Sequence, residues 1–201
     1  MTYMSNRIYL FVITIMATSC SIVQYDDIIP ISRQLFFGVD KVNVDKDYIN
    51  SVSYSFLRFN IGKQESYILT LRRIDANGNY HWESVNQGKI ITNKFGKILN
   101  TYNLDFNMTI FNDEFALENK ALTYNTMFHN PNAFVTQNAN IEISESNTDI
   151  RYSVTEVINN VEIKTKWKNI YQLDKNLFPI YTKQKIHPNI PNIEMDFYFK
   201  F

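Results

Sequence analysis

The chain has 201 residues, of which 45% are hydrophobic and 20% charged, a composition typical of one globular domain and not of a disordered chain. Its 20 Lys and Arg residues balance 20 Asp and Glu residues, and a net charge of zero argues against nucleic-acid binding, which needs a basic surface. Aromatic residues reach 15% and favour strands, because flat rings pack well on a pleated surface.

An apolar run of ten residues, "IYLFVITIMA" at 8–17, follows a short polar start that contains Arg7. A transmembrane helix needs about 20 apolar residues, so this run fits a secretory signal peptide better than a membrane-spanning anchor. The following "ATSC" resembles the lipobox of bacterial lipoproteins, with Ala17 where Leu is usual. We therefore predict a lipoprotein signal peptide over 1–19 and lipid attachment to Cys20. The alternative is an ordinary secretion signal with an incidental cysteine.

Cys20 is the only cysteine of the sequence, so it cannot form an internal disulfide. A free thiol in an exported protein would be exposed to oxidation, which favours lipidation of this residue. Ser21 follows it, whereas in enteric-type bacteria an Asp at that position favours retention in the inner membrane. The lipobox resemblance therefore implies a palmitate-type lipid anchor in the outer membrane.

The mature chain is predicted to begin with a lipidated tether over 20–44, which leads into a single β-rich domain over 45–201. Two short helices are expected before the first strand, at 31–37 and 43–52, the second with Asp45 as its N-cap. No repeat of fixed period and no long linker divides the remainder into further domains.

The remaining pattern is strand-like. Residues 65–73, "ESYILTLRR", alternate between apolar and polar, and "DANGN" at 75–79 predicts a hairpin with a type I′ turn at Asn-Gly. Further strands are predicted at 80–85, 88–93, 98–104, 149–158, 161–173, 178–186 and 194–201. Residues 105–140 are the least regular. The predicted fold is mainly β: a single curved antiparallel sheet forming a partly open barrel or sandwich, with short N-terminal helices.

The search for catalytic or metal-binding patterns gives none. His81, His129 and His187 lie far apart, and none has a second ligand at helical or hairpin spacing, so no metal site is predicted. The sequence has no nucleophile elbow, no P-loop and no dinucleotide-binding glycine motif. We therefore predict no cofactor and no enzymatic activity.

Trp82, Trp167 and Tyr171 are the candidate residues for contact with a glycan or a partner. Indole and phenol rings on an exposed face stack on the C–H faces of sugars. The alternative for the two tryptophans is packing in the core or across strands.

Three stretches, at 54–84, 88–108 and 171–199, resemble the YjbF/GfcB family of capsule and exopolysaccharide lipoproteins. The family pattern combines a Tyr-Ser strand, a Trp-x-Ser strand end, a turn, a Thr-led segment and a late Gln followed by Pro. The matching positions are Tyr54, Ser55, Trp82, Ser84, Gly96, Lys97, Thr101, Leu104, Asp105, Gln184 and Pro188.

Two positions depart from the family pattern. Lys97 stands where Arg is usual, and an ammonium cannot reproduce the bidentate fork of a guanidinium. Asn103 stands where the family tends to have Gly, but Asn tolerates a positive φ, so the backbone conformation is expected to survive.

The resemblance implies a curved antiparallel β-structure on the periplasmic face of the outer membrane. It also implies a non-enzymatic role in the assembly or export of a capsular or extracellular polysaccharide. The implied partners are an outer-membrane barrel-like protein of the same gene cluster and the polysaccharide itself. Two alternatives stay open: a periplasmic carrier for lipid or lipoprotein with a half-open barrel, and a glycan-modifying enzyme with acids converging near Trp82 or Trp167.

Overall fold

The computed structural model describes residues 44–200 except 63–64, 86, 105, 130–131, 147–149 and 163. The predicted signal peptide, Cys20 and the helix at 31–37 lie outside the described residues. The described chain forms helix α1 (Lys46–Ser51) and twelve strands. The strands are β1 (Phe56–Ile61), β2 (Glu65–Ile74), β3 (Tyr80–Glu83), β4 (Lys89–Thr92), β5 (Ile98–Tyr102), β6 (Met108–Phe111), β7 (Ala121–His129), β8 (Asn132–Glu145), β9 (Tyr152–Asn160), β10 (Thr165–Leu173), β11 (Pro179–Gln184) and β12 (Ile193–Tyr198). Within these ranges, none of the helical structure is long and apolar enough to cross a membrane.

The short helix predicted at 43–52 is present as α1, which begins at Lys46 directly after the predicted N-cap Asp45. The carboxylate of Asp45 accepts a hydrogen bond of 2.8 Å from the Tyr48 N–H, which satisfies one of the free donors at the helix start. The Tyr48 ring packs edge-on against Phe56, with 5.5 Å between the ring centroids. The short helix is therefore held against the beginning of β1, and the predicted N-cap is confirmed.

The strands form one antiparallel sheet in which each strand pairs with the next along the chain. The sheet closes because β1 also pairs with β12, from Phe56 opposite Tyr198 to Ile61 opposite Ile193. The predicted single curved antiparallel sheet is confirmed, and it closes completely into a twelve-stranded barrel. Closure gives both terminal strands a hydrogen-bonding partner and removes the exposed edges of a partly open sheet.

Four hairpin turns in the described chain share one five-residue design, at 75–79, 84–88, 93–97 and 174–178. In each turn the first side chain (Asp, Ser or Asn) accepts a hydrogen bond from the N–H of the fifth residue. The fourth residue has a positive φ in all four. In the first turn this residue is Gly78, at φ +80°, while Asn77 keeps a negative φ. The predicted hairpin is confirmed, but its turn is not type I′, because Asp75 caps a type I turn that ends in a left-handed glycine.

Side chains fill the interior of the barrel. The main cluster includes Phe59, Trp82, Met108 and Met195, each no more than 1% exposed. Two smaller clusters continue it, one around Phe115 and Tyr171 and one around Tyr124 and Trp167. The pocket described inside the barrel has a volume of only about 10 Å³.

Candidate functional site

The three aromatic residues predicted to contact a glycan or partner are buried. The exposed fractions are 1% for Trp82, 8% for Trp167 and 0% for Tyr171. The Trp82 ring packs against Phe197 at 5.7 Å between centroids, and its Nε1–H donates to the Thr92 hydroxyl at 3.1 Å. The two tryptophans are core residues, which was the alternative interpretation. None of the three rings is presented to a glycan or a partner on the outer surface in this structure.

Tyr171 belongs to a buried polar group that we call the inner cluster, formed with Lys97, Asp113, Glu156 and Asn169. The Lys97 ammonium lies 2.8 Å from Asp113 Oδ1 and 2.9 Å from Glu156 Oε1. The second oxygen of Glu156 accepts hydrogen bonds from the Tyr171 hydroxyl at 2.7 Å and from the Asn169 amide at 3.1 Å. One ammonium thus joins carboxylates from two separate parts of the chain.

Buried aromatic rings surround the inner cluster. Lys97 Nζ lies 3.6 Å from the ring centroid of Tyr124, a favourable cation–π contact. Burial, together with the negative charge of Glu156, raises the pKa of Tyr124 and of Tyr171 well above the usual value for a phenol. Tyr171 therefore stays protonated and keeps donating to Glu156 at physiological pH.

The inner cluster is closed to solvent. The Lys97, Glu156 and Asp113 side chains are 2%, 0% and 8% exposed. A glycan-modifying enzyme needs two acids facing an open cleft, whereas these two acids face a lysine in the barrel interior. The cluster therefore ties the segment around Asp113 to the barrel wall, and it offers no place for a substrate.

Positions that carry the family resemblance meet at the β4–β5 turn, although 88 residues of sequence separate Gly96 from Gln184. The Gln184 amide donates to the Gly96 carbonyl at 2.8 Å, and its oxygen accepts from the Ile98 N–H at 3.1 Å. This amide holds the turn inside the barrel and so places Lys97 between its two carboxylates. Asn103 has φ +53°, a left-handed conformation that asparagine tolerates.

A second polar site lies on the outer wall of β2 to β5, and we call it the outer pocket. It has a volume of about 220 Å³, and its polar lining includes Arg72, Arg73, His81, Glu83 and Lys89. Successive residues of a strand ordinarily face opposite sides of the sheet. Here the pairing of β2 with β3 shifts register between Leu71 and Arg73, and this bulge leaves both arginines exposed on the pocket side.

The charges of the outer pocket are partly paired. Glu83 lies between Arg72, at 3.4 Å, and Lys89, at 3.2 Å. Arg73 has no ion-pair partner among the described residues. The pocket lining therefore holds the three cations Arg72, Arg73 and Lys89 and the single carboxylate of Glu83. The zero net charge of the chain gave no sign of this group of cations, because two of them come from β2 and the third from β4. The sequence feature that could have indicated this site is the Arg pair at 72–73, which the hairpins bring beside Lys89.

Asp75 fixes the edge of the outer pocket. Its Oδ2 lies 3.1 Å from Nε2 of His81, across the turn from β2 to β3. Burial acts to raise the pKa of Asp75, but hydrogen bonds from Asn79, His81 and Asn77 outweigh burial and lower it from 3.8 to about 2. Asp75 therefore remains ionised and holds the imidazole in place over the physiological range.

The histidines remain separate in the fold. His129 lies 3.1 Å from the Thr109 hydroxyl, and His187 packs edge-on against Phe128. In the part of the chain that the structure describes, no three His, Cys, Asp or Glu side chains lie close enough to hold a metal ion.

The chain matches a family model over most of its length. A model described as "Group 4 capsule polysaccharide lipoprotein gfcB, YjbF" matches residues 32–197. The chain belongs to the YjbF family. The match covers the β-barrel almost from end to end, and it confirms the resemblance stated from the sequence.

The solved structures add a fold relative of this YjbF-family chain. The crystal structure of the hypothetical lipoprotein YmcC from Escherichia coli (K12) matches with a TM-score of 0.66. The match covers 89% of this chain and 97% of YmcC at 17% sequence identity, so it shows a shared fold alone. Among curated proteins, none matches the chain.

Proposed function

We propose that this YjbF-family protein is an outer-membrane lipoprotein that aids the assembly or export of a capsular or extracellular polysaccharide without catalysing a reaction. The family match over residues 32–197 carries the proposal, because its description names a group 4 capsule polysaccharide lipoprotein. The filled interior of the barrel also supports the proposal. The described interior is filled and its acids are closed off, so contacts with partners or glycan fall to the outer surface.

The proposed anchor is a lipid on Cys20, left as the first mature residue after removal of 1–19. Each buried CH₂ of an acyl chain contributes roughly 0.8 kcal/mol, so two or more chains hold a domain stably at a membrane. The tether at 20–44 would place the domain at the periplasmic face, beside an outer-membrane barrel-like protein of the same gene cluster. The mass of the N-terminal peptide tests this: an unmodified Cys20 in protein taken from membranes would rule out the anchor.

Deletion of the gene tests the proposed function. We expect the amount of polysaccharide on the cell surface to fall sharply, and a plasmid copy of the wild-type gene to restore it. A Cys20→Ser copy made at the same level should restore it poorly, because the domain would no longer be held at the membrane. Unchanged surface polysaccharide in the deletion strain would contradict the proposal.

The alternative, a carrier for lipid or lipoprotein, needs space inside the barrel. Sites for small organic ligands usually measure about 300–1,000 Å³. The pocket described inside this barrel has about 10 Å³ and is lined in part by the polar groups of Lys97, Gln137 and Asn169. The filled interior favours the polysaccharide role over the carrier.

A further inference from the structure

We propose that the outer pocket binds a carboxylate-bearing sugar unit of an acidic polysaccharide. The inference deepens the proposed function and rests on it for the class of ligand. The charges, the backbone bulge and the Tyr102 ring of the pocket fit such a ligand.

The cations of the pocket are placed for a carboxylate. Arg73 is exposed and has no ion-pair partner among the residues described, so its guanidinium is available for a bidentate contact. Glu83 holds Arg72 and Lys89 on either side of it, which orders the two neighbouring cations before any ligand arrives. With Asp75 at its edge counted beside Glu83, the three cations Arg72, Arg73 and Lys89 still exceed the two carboxylates, so the pocket is locally positive on a chain whose formal net charge is zero.

Tyr102 supplies the feature that distinguishes a sugar from a simple anion. It pairs with Lys89 across β4 and β5, it lines the pocket, and its side chain is 43% exposed. Its ring offers an apolar face to sugar C–H groups while the carboxylate of the same sugar reaches the cations. A bare phosphate or a lipid headgroup would use the cations alone.

The chain provides a matched control on another part of the barrel wall. Lys166 and Lys168 are exposed on β10, within the densest run of basic residues in the sequence, "KTKWK" at 164–168. Neither residue lines the outer pocket. Removing these two charges changes the net charge as much as removing Arg73 and Lys89 does.

Calorimetric titration of the full-length protein in detergent tests the proposal. The probes are tetramers of galacturonate and of mannuronate, with maltotetraose as the neutral control. We expect both carboxylated tetramers to bind more tightly than maltotetraose. The double variant Arg73→Gln/Lys89→Gln should bind them about tenfold more weakly, as expected for two exposed charge contacts, while Lys166→Gln/Lys168→Gln binds normally.

A second titration separates a sugar from a phospholipid headgroup, using Tyr102→Ala and sn-glycerol 3-phosphate. Tyr102→Ala should weaken binding of the carboxylated tetramers several-fold. The proposal is overturned if neither carboxylated tetramer binds better than maltotetraose, or if the Arg73 and Lys89 substitutions have no effect. It is also overturned if glycerol 3-phosphate binds at this site and the tetramers do not. Such a failure would leave the proposed function standing, because that function is tested by gene deletion and not by these titrations.

Discussion

At the scale of single residues, Lys97 supplies the positive charge of the inner cluster. Its ammonium joins Asp113 and Glu156 in a region that is almost fully closed to water. Removing one partner of a buried ion pair leaves an uncompensated charge, and this costs more than the intact pair contributes. The stability of the barrel should therefore depend strongly on this one cation.

The substitution Lys97→Met tests that dependence, because it keeps much of the side-chain volume and removes the charge. We expect the free energy of unfolding to fall by about 3–5 kcal/mol, measured by urea denaturation followed by circular dichroism. Lys94→Met, at an exposed position of the same turn, should change it by no more than about 0.5 kcal/mol. Equal effects of the two substitutions would show that the inner cluster contributes little.

Asp75 gives a prediction for acid pH. Its pKa is lowered from 3.8 to about 2, so its stabilising effect is present above the ordinary pKa and lost as pH falls toward 2. Asp75→Asn keeps a side-chain oxygen for the turn and removes the charge. We expect wild type to unfold at a higher temperature than Asp75→Asn near neutral pH, and this gap to close as the pH falls to about 2. A gap that stays constant over that range would mean that the charge has no such role.

At the scale of elements, the hairpin turns decide how strands are joined and where Lys97 points. Gly78 and Gly96 occupy the same position of the shared turn design, at φ +80° and +84°. Gly78 lies in open space, whereas a Cβ on Gly96 would come within 2.9 Å of Thr182 and 3.0 Å of Pro179. The two glycines share one backbone requirement, and only Gly96 is also packed against the barrel wall.

Substitutions at Gly78 and Gly96 distinguish the cost of backbone strain from the cost of poor packing. Gly78→Ala should cost only the strain of a left-handed alanine, about 1–2 kcal/mol. Gly96→Ala should cost a further ~1–3 kcal/mol, because the added methyl group forces Thr182 or Pro179 to shift. Chemical denaturation of both variants checks the difference. Equal losses of stability would show that the β4–β5 turn is not tightly packed inside the barrel.

Local elements were predictable from the sequence, because short-range rules govern them. The Asp45 cap and the β2–β3 hairpin each depend on residues only a few positions apart. Which side of the sheet the two tryptophans occupy was harder to predict. Period-two alternation divides a strand into two faces, but it does not tell which face lies inside the barrel. Their burial follows from closure of the barrel, which no local pattern records.

At the scale of the whole molecule, closure depends on contacts between distant parts of the chain. Arg58 of β1 lies opposite Asp196 of β12 and binds it at 2.8 Å, across 138 positions of sequence. The inner cluster similarly joins Lys97 to Glu156, and the outer pocket needs a bulge that shifts one arginine. Composition and periodicity predicted the curved antiparallel sheet. Contacts between residues so far apart in the chain cannot be recognised in a single sequence.

We propose above all that the folded lipoprotein supports the passage of polysaccharide to the cell surface. The most direct measurement is the fraction of total polysaccharide found on the surface of a deletion strain, with and without a plasmid copy of the gene. We expect a low fraction without the gene and a normal fraction with the wild-type chain or with Lys166→Gln/Lys168→Gln. A surface fraction that is the same with and without the gene would contradict the proposal.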